Sequence, residues 1–336
     1  MAKRKALEEI GGGNYFASTD KAGIKFISSG CELFDCVLGG GYPIGRIVNI
    51  VGDKSTGKTL LAIEACVNFA KKYPQGPIWY TEAEAAFDPE YAEALGLPLD
   101  RISFTENCST VEDWFEHLMD ILKKIPDDQE ALYIIDSLDA LSDRAELDRE
   151  IDKGSMGAAK AKKLSELFRR LVKKIQHKQL TIIVVSQIRD KIGVMFGKKT
   201  TRSGGHALDF YASQVVYLAQ IKRLKKTRKK VERATGVMIR ASCDKNKIGL
   251  PYRSCDFPIL FGYGIDDLSA NLDWLEMVGQ LELVGLTKAT KAAFIKNYFE
   301  KDLTPEVRKS VKRISKKVRR HWENIEVTFL PKRSKY

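Results

Sequence analysis

The octet Gly52–Thr59, GDKSTGKT, matches G-x-x-x-x-G-K-[ST] in full. The apolar run Ile47–Val51 precedes it, and a helical stretch, Lys58–Lys71, opens on its lysine. This context constrains the fold severely. A loop of this kind wraps a phosphate only when a buried strand delivers it and a helix N-terminus receives it. Glycine lets the backbone curl so that successive N–H groups point inward, and the helix end adds partial positive charge. Gly52, Asp53, Lys54, Ser55, Thr56 and Gly57 form that cradle. Lys58 is placed to bridge β- and γ-phosphates, and the Thr59 hydroxyl to ligate Mg²⁺.

A strand buried on both faces needs neighbours, and the chain supplies them. Apolar runs at Ile78–Thr81, Leu132–Asp136 and Thr181–Ser186 read as further buried strands. Helical stretches at Pro89–Leu95, Val111–Lys124 and Met156–Lys178 separate them. In the last, Leu164, Leu167, Phe168, Leu171, Val172 and Ile175 make one apolar stripe. Strand–helix alternation of this kind implies an α/β fold with a mostly parallel sheet and right-handed crossovers. Strands at Gln214–Ile221, Val237–Cys243 and Phe257–Phe261 follow one another without room for long helices, so they extend the sheet antiparallel. A small, basic, mostly helical region starts near Ser269.

Three strand tips on the edge of the phosphate loop carry polar groups. Asp136 ends LYIID, where such sites place a second Mg²⁺ contact; its alternative role is a helix N-cap. Glu82 and Glu84 follow Thr81, and either carboxylate could polarise an attacking water or simply line a solvated acidic loop. Gln187 ends IIVVSQ, where an amide can sense a γ-phosphate or satisfy backbone at the strand end.

The segment Arg189–Gly205, RDKIGVMFGKKTTRSGG, reads as a long loop. Its apolar cluster of Ile192, Val194, Met195 and Phe196 is flanked by Arg189, Lys191, Lys198, Lys199 and Arg202, with four glycines that disfavour a strand. Cations that neutralise phosphates beside apolar side chains that wedge between bases suit an extended nucleic-acid strand. A hydrophobic hairpin tucked on the core is the other reading. Glu150–Gly157, EIDKGSMG, is a shorter loop with a weaker signal.

The net charge is +12, and it is uneven. Lys222–Lys230, KRLKKTRKK, holds seven cations and no anion, and residues 301–336 hold twelve Lys/Arg against four Asp/Glu. The first is a basic hairpin tip or a strip lining a DNA path; the tail is a solvated helix face or a gateway for duplex DNA. The six cysteines lack C-x-x-C or zinc spacing, so they read as small hydrophobes in a reducing compartment. No run is long enough to span a bilayer, and the N-terminus is not a secretory signal, so the expected location is the cytoplasm.

Taken together, GGGYPIGRIVNIVGDKSTGKT, AEAAFDPEYAEALG, LYIIDSLDAL, QIRDKIGVMFG, GGHALDFYAS and KNKIGLP resemble the RecA recombinase family, bacterial members and phage relatives alike, over roughly Ile24–Leu268. The resemblance implies a RecA-type ATPase core (24–268) between a short N-terminal arm (1–23) and a small basic C-terminal region (269–336). It implies ATP and Mg²⁺ as cofactors. It further implies a helical homo-oligomer on single-stranded DNA that pairs with homologous double-stranded DNA, with single-strand-binding and mediator proteins as partners. By motif match Glu84 takes the general-base position and Gln187 the γ-phosphate sensor position. Asp88 and Tyr91 fall where the family holds adenine. Glu150–Gly157 and Arg189–Gly205 become DNA loops, in which Met156 and Ile192 enter between base triplets and Gly157, Arg189, Gly193, Val194, Met195 and Phe196 belong to the same surfaces. Ser165, Arg169, Gly204 and Gly205 match backbone contacts on DNA. Lys245 and Lys247 match lysines reaching the neighbouring protomer's ATP, and Phe210 an aromatic residue crossing that interface.

The chain departs from the family pattern in a shortened arm, in Lys54 and Asp209, which replace an acid and a lysine, and in a basic rather than acidic tail. A ring-forming motor of replicative-helicase type, a DNA-annealing filament protein with weak hydrolysis, and a regulatory ATPase without a DNA role are the competing expectations. The compact ends fit a virus-encoded protein working in an infected bacterial cell.

Overall fold

The computed structural model describes residues 23–333 apart from 85–86, 106–107, 148–156, 191–199 and 203–204; for 146–147, 157–159, 189–190, 200–202 and 205–206 it describes backbone alone. The N-terminal arm up to residue 22 therefore lies outside the described residues.

Strand β3 (Ile47–Gly52) sits inside a large sheet, pairing parallel with β7 (Leu180–Asp190) on one side and β9 (Gln214–Arg228) on the other. Beyond β7 come β6 (Ala131–Asp136), β4 (Ile78–Glu82) and β5 (Ile102–Thr105), all parallel. Beyond β9 come β10 (Val231–Asn246), β11 (Arg253–Leu260) and β12 (Gly264–Ile265), all antiparallel. A separate two-stranded ribbon pairs β1 (Phe26–Ile27) with β2 (Tyr42–Pro43). The α/β class, the parallel centre and the antiparallel extension match the expectation. Strand β5 is an addition to it: ISFT is short, and its middle residues are exposed because it pairs with β4 alone.

Alternation along the strands divides the core into two layers, one on each face. Val48 and Ile50 join Tyr80, Ile134, Ile183 and Val216 beneath α1 (Glu32–Leu38) and α2 (Lys58–Lys72). Ile47 and Val51 join Tyr133, Ile135, Ile182 and Val215 beneath α4 (Val111–Lys124) and α6 (Gly157–His177). The short helices α3 (Pro89–Ala94), α5 (Arg144–Leu147) and α7 (Gly205–Tyr211) lie in the connections. Helix α4 starts on a capping box in which Thr110 and Asp113 exchange hydrogen bonds. The stripe on α6 is buried as its spacing requires, apart from the half-buried Val172, and Phe168 meets Trp114 edge-on at 5.9 Å between ring centres.

Three helices complete the chain: α8 (Asp267–Met277), α9 (Lys288–Glu300) and α10 (Pro305–Thr328). Ile314 and Val318 of α10 are buried in the same apolar layer as α1, and Trp322 packs on Trp274 at 5.8 Å. Ion pairs frame this contact, Arg319 with Glu32 and Arg253 with Glu326. Beneath it lie two buried acids. Asp35 accepts from the Ser28 hydroxyl at 2.6 Å, and Asp267 from the Glu32 amide at 2.6 Å. Burial pushes the Asp35 carboxyl up to about 6 and Asp267 up to about 7, with neighbouring Glu32 adding to both.

Replacing Phe168 by Ala is expected to cost about 3–5 kcal/mol, because the cavity opens beneath a helix that cannot collapse onto the sheet; urea unfolding measures it. A second expectation concerns pH. Asp267 binds its proton more tightly when folded, so its contribution to stability is present below about pH 4 and is lost as pH rises through about 7. Asp267→Asn keeps an oxygen for the Glu32 amide and escapes that loss. The variant should therefore gain on the parent between pH 4 and 8, seen as a widening difference in urea midpoints.

Candidate nucleotide site

Register decides where the polar tips go. Gly52 pairs with Gln187 across β3 and β7, and Glu82 with Asp136 across β4 and β6. All four lie where the parallel pairing ends, at the C-terminal edge where open α/β sheets hold ligands, although β7 itself runs on past Gln187 to Asp190.

The phosphate loop leaves β3 there. Gly57 adopts the left-handed region (φ 84) as it hands the chain to α2, a conformation that favours glycine, and a Cβ there would also lie 2.5 Å from Ile259 Cδ1 of β11. The loop is internally bonded. Thr56 Oγ1 donates to Asp53 O at 2.9 Å, and the Lys54 amide to Asp53 Oδ1 at 2.7 Å. Lys58, the first residue of α2, is largely buried and donates from Nζ to Asp53 O at 2.7 Å. Burial lowers the Lys58 ammonium pKa, and the carboxylates of Asp136, Glu84, Asp53 and Asp139 oppose that shift.

Asp136 is buried at the tip of β6 and accepts hydrogen bonds from the hydroxyls of Thr59 and, at 3.0 Å, Tyr80. Burial pushes its carboxyl up, while those two bonds hold it down. A hydroxyl and a carboxylate side by side next to a phosphate loop are hard oxygen donors, the chemistry that Mg²⁺ takes. The residues present therefore fit the ion.

Glu84 closes the opposite wall. Its Oε1 accepts from Gln187 Nε2 at 2.7 Å and from the Ser137 hydroxyl. Glu82 plays a different part: its Oε1 accepts from the Glu84 amide at 3.1 Å. Lys54, Ser55, Thr56, Gly57, Lys58, Thr59, Glu84, Asp136 and Gln187 all line one cavity of about 320 Å³, to which Leu60 also contributes. Glu82, Asp88 and Tyr91 do not line it. Asp88 caps α3, accepting from the Tyr91 amide at 3.0 Å.

Sequence reasoning misses Ser137, Asp139 and Tyr80. Ser137 and Asp139 stand in LYIIDSLDAL directly after the strand tip, which is the signal that could have found them. Tyr80 lies inside an apolar run, so nothing marks it.

Of the DNA-loop candidates, Met156, Ile192, Gly193, Val194, Met195, Phe196 and Gly204 lie outside the described residues. Gly157 begins α6 and Gly205 begins α7. Ser165 and Arg169 share a face of α6, half-buried and exposed respectively. One expectation needs correction: the segment from 189 to 205 is not loop throughout. Strand β7 continues to Asp190, and β8 (Thr200–Arg202) pairs back on it, Ile188 opposite Arg202. Threonines and a β-branched partner favour pairing at the stem, whereas the glycines that argue against a strand fall further along.

Phe210, Lys245 and Lys247 form a second cluster, none of them lining the cavity. Lys245 Nζ donates to the carbonyls of Asp209 and, at 2.8 Å, Phe210, and Lys247 Nζ reaches Phe210 O at 3.4 Å. Two cations thus meet the carbonyl end of α7, where the helix dipole favours them. The Phe210 ring is 71% exposed, unusual for an aromatic residue of this size. The basic run 222–230 lies in the far half of the β9–β10 hairpin, turning at Lys229 and Lys230, with Lys225 paired to Glu232 at 2.8 Å.

Comparison with known proteins bears on this arrangement. The family described as the RecA N-terminal domain matches residues 8–266. The chain belongs to the RecA family. Protein RecA of Synechococcus sp. (strain CC9902) is 36% identical over 256 residues, which is 76% of this chain and 65% of that protein. Protein RecA of Arthrospira platensis is 32% identical over 293 residues, 84% of this chain and 77% of that protein. Protein RecA of Nostoc punctiforme is 34% identical over 256 residues, covering 76% and 68%. The chain thus spans just under two thirds of the length of the first of these relatives. The RecA match ends at residue 266, one residue before α8 begins.

Lys58→Ala is expected to weaken binding of a fluorescent ATP analogue at least about tenfold, since the charge-assisted contact it would make is worth more than about 1.4 kcal/mol. Equilibrium titration measures this.

Proposed function

We propose that this chain is an ATP-dependent DNA strand-exchange recombinase, which binds single-stranded DNA as a helical filament and pairs it with homologous duplex. The observation that carries the reading is the direct bond from Gln187 to Glu84. Gln187 stands on β7, which runs straight into the segment resembling the family's second DNA loop. One strand thus links the cavity that suits ATP to the loop that suits DNA.

The proposed division of labour joins the cavity's geometry to the roles that the family resemblance implies. Lys58 and the loop amides hold the phosphates, and Thr59 with Asp136 would hold Mg²⁺, which supplies charge neutralisation at the transferred phosphoryl group. Glu84 orients a water against the γ-phosphorus and takes its proton as the bond to the β-phosphate oxygen breaks, leaving ADP and inorganic phosphate. Asp88 and Tyr91 hold adenine. Phe210, Lys245 and Lys247 face the neighbouring protomer, so that ATP sits at a boundary and couples to filament geometry. Residues 1–23, 24–268 and 269–336 serve as arm, ATPase core and basic accessory region. Single-strand-binding and mediator proteins are the expected partners, in the cytoplasm of a bacterial cell. Among the described residues no helix is long and apolar enough to cross a membrane.

The exposed cations of α10, Lys309, Lys312, Lys316 and Arg320, suit a sequence-independent contact with duplex DNA. Arg319 is committed to Glu32 and is better left out of a charge-removal test.

The test is phosphate release from ATP with and without single-stranded DNA. The reading expects stimulation by DNA, and a loss of about 10²–10⁴-fold in Glu84→Gln with nucleotide binding retained. DNA-independent hydrolysis, or full activity in Glu84→Gln, would overturn it.

A further inference from the structure

Asp139 carries the strongest unassigned geometry in the molecule. It lies 8% exposed in the single helical turn Leu138–Ala140 that follows β6. That turn does not need its carboxylate, because Ala140 N already closes it on Ser137 O at 3.2 Å. Instead Asp139 Oδ2 accepts the backbone amide of Gln187 at 2.7 Å. The ladder between β6 and β7 stops earlier, at Ile135 opposite Val184. Past that point the Asp139 side chain ties the outgoing end of β7 to the β6 side, while Gly52 pairs with Gln187 on the β3 side.

The consequence reaches Glu84. With its backbone pinned, Gln187 aims its amide at Glu84 Oε1, 2.7 Å away, and that oxygen also takes the Ser137 hydroxyl. A carboxylate oxygen that accepts two hydrogen bonds has its lone pairs pointed at protein rather than at water. Burying an acid beside a phosphate-binding cavity opposes anion binding, so a merely structural position would favour a neutral residue.

We infer that Asp139 is a positioning residue that holds Gln187 on Glu84, and that this contact restrains hydrolysis in the DNA-free protein. The inference rests on the hydrolytic reading of Glu84 and adds its regulation. Gln187 is then a brake as well as a sensor: released from Glu84, its amide is free to turn to the γ-phosphate.

The test compares wild type, Asp139→Ala, Asp139→Asn and Ser137→Ala as full-length protein with ATP and Mg²⁺, with and without oligo-dT. Fluorescent-nucleotide affinity and melting temperature are measured beside the rates. Asp139→Ala is expected to raise the DNA-free rate about tenfold, the size of one hydrogen bond to a charged group, with nucleotide affinity within about twofold. Asp139→Asn keeps an oxygen acceptor and is expected to restore most of the restraint. Ser137→Ala removes the other donor from the same oxygen and is expected to raise the DNA-free rate too. A DNA-free rate that is unchanged or lower in both alanine variants overturns the inference, as does an Asn variant that behaves like Ala. If Asp139→Ala does not fold, the Ser137→Ala rate decides. The DNA-free rate is read by itself, so the role of Asp139 is tested whether or not DNA stimulates the wild type; that stimulation tests the recombinase reading separately.

Discussion

Everything at the nucleotide edge hangs on the parallel pairing of β4, β6, β7 and β3. It brings Glu82, Asp136, Gln187 and Gly52 to one edge in fixed register. A slip of one residue along β7 would send Gln187 to the opposite face and move Val184 out of its layer, because side chains alternate along a strand. The two apolar layers therefore enforce the register, and the register enforces the site. Core packing and chemistry here are one problem rather than two.

From that edge the structure continues in two directions. Through Gln187 and β7 it leads to the β7–β8 stem and the segment beyond. Through β9 and β10 it leads to Lys245 and Lys247, which gather with Phe210 at the carbonyl end of α7. A nucleotide bound at the tips would thus lie between the β7–β8 stem and an antiparallel extension that carries a second cluster of cations. Ligand-driven switching of this kind requires only that ATP favour one arrangement of these elements over another.

Much of this is legible in the sequence, for reasons of range. The phosphate loop, Asp136 and the ends of α4 are local: spacing and capping chemistry within a few residues determine them. The strands buried on both faces announce themselves by continuous apolar runs. What escapes depends on contacts across the chain. Ser137 and Asp139 matter only because β6 lies between β4 and β7, which no local pattern reveals. Strand β5 is too short and too exposed to signal. The charged run at Lys222–Lys230 is legible as a hairpin tip but not in its length, because charges mask the strand alternation that carries β9 to Arg228, and the buried acids Asp35 and Asp267 are explained only by the packing of α1 against α8. Glu84 is told from Glu82 by resemblance alone in the sequence; in space, only Glu84 reaches the cavity.

If one strand joins the nucleotide cavity to the DNA-directed loop at a boundary between protomers, the assembled complex must show it. The decisive measurement is an electron cryo-microscopy reconstruction of the protein with single-stranded DNA, Mg²⁺ and a non-hydrolysable ATP analogue. The expected map is an open helical filament in which Lys245, Lys247 and Phe210 of one protomer face the nucleotide of the next. DNA then lies against the segment after β7, with Gln187 turned from Glu84 toward the γ-phosphate. Closed rings, or a nucleotide remote from every protomer boundary with Gln187 still on Glu84, would refute that coupling.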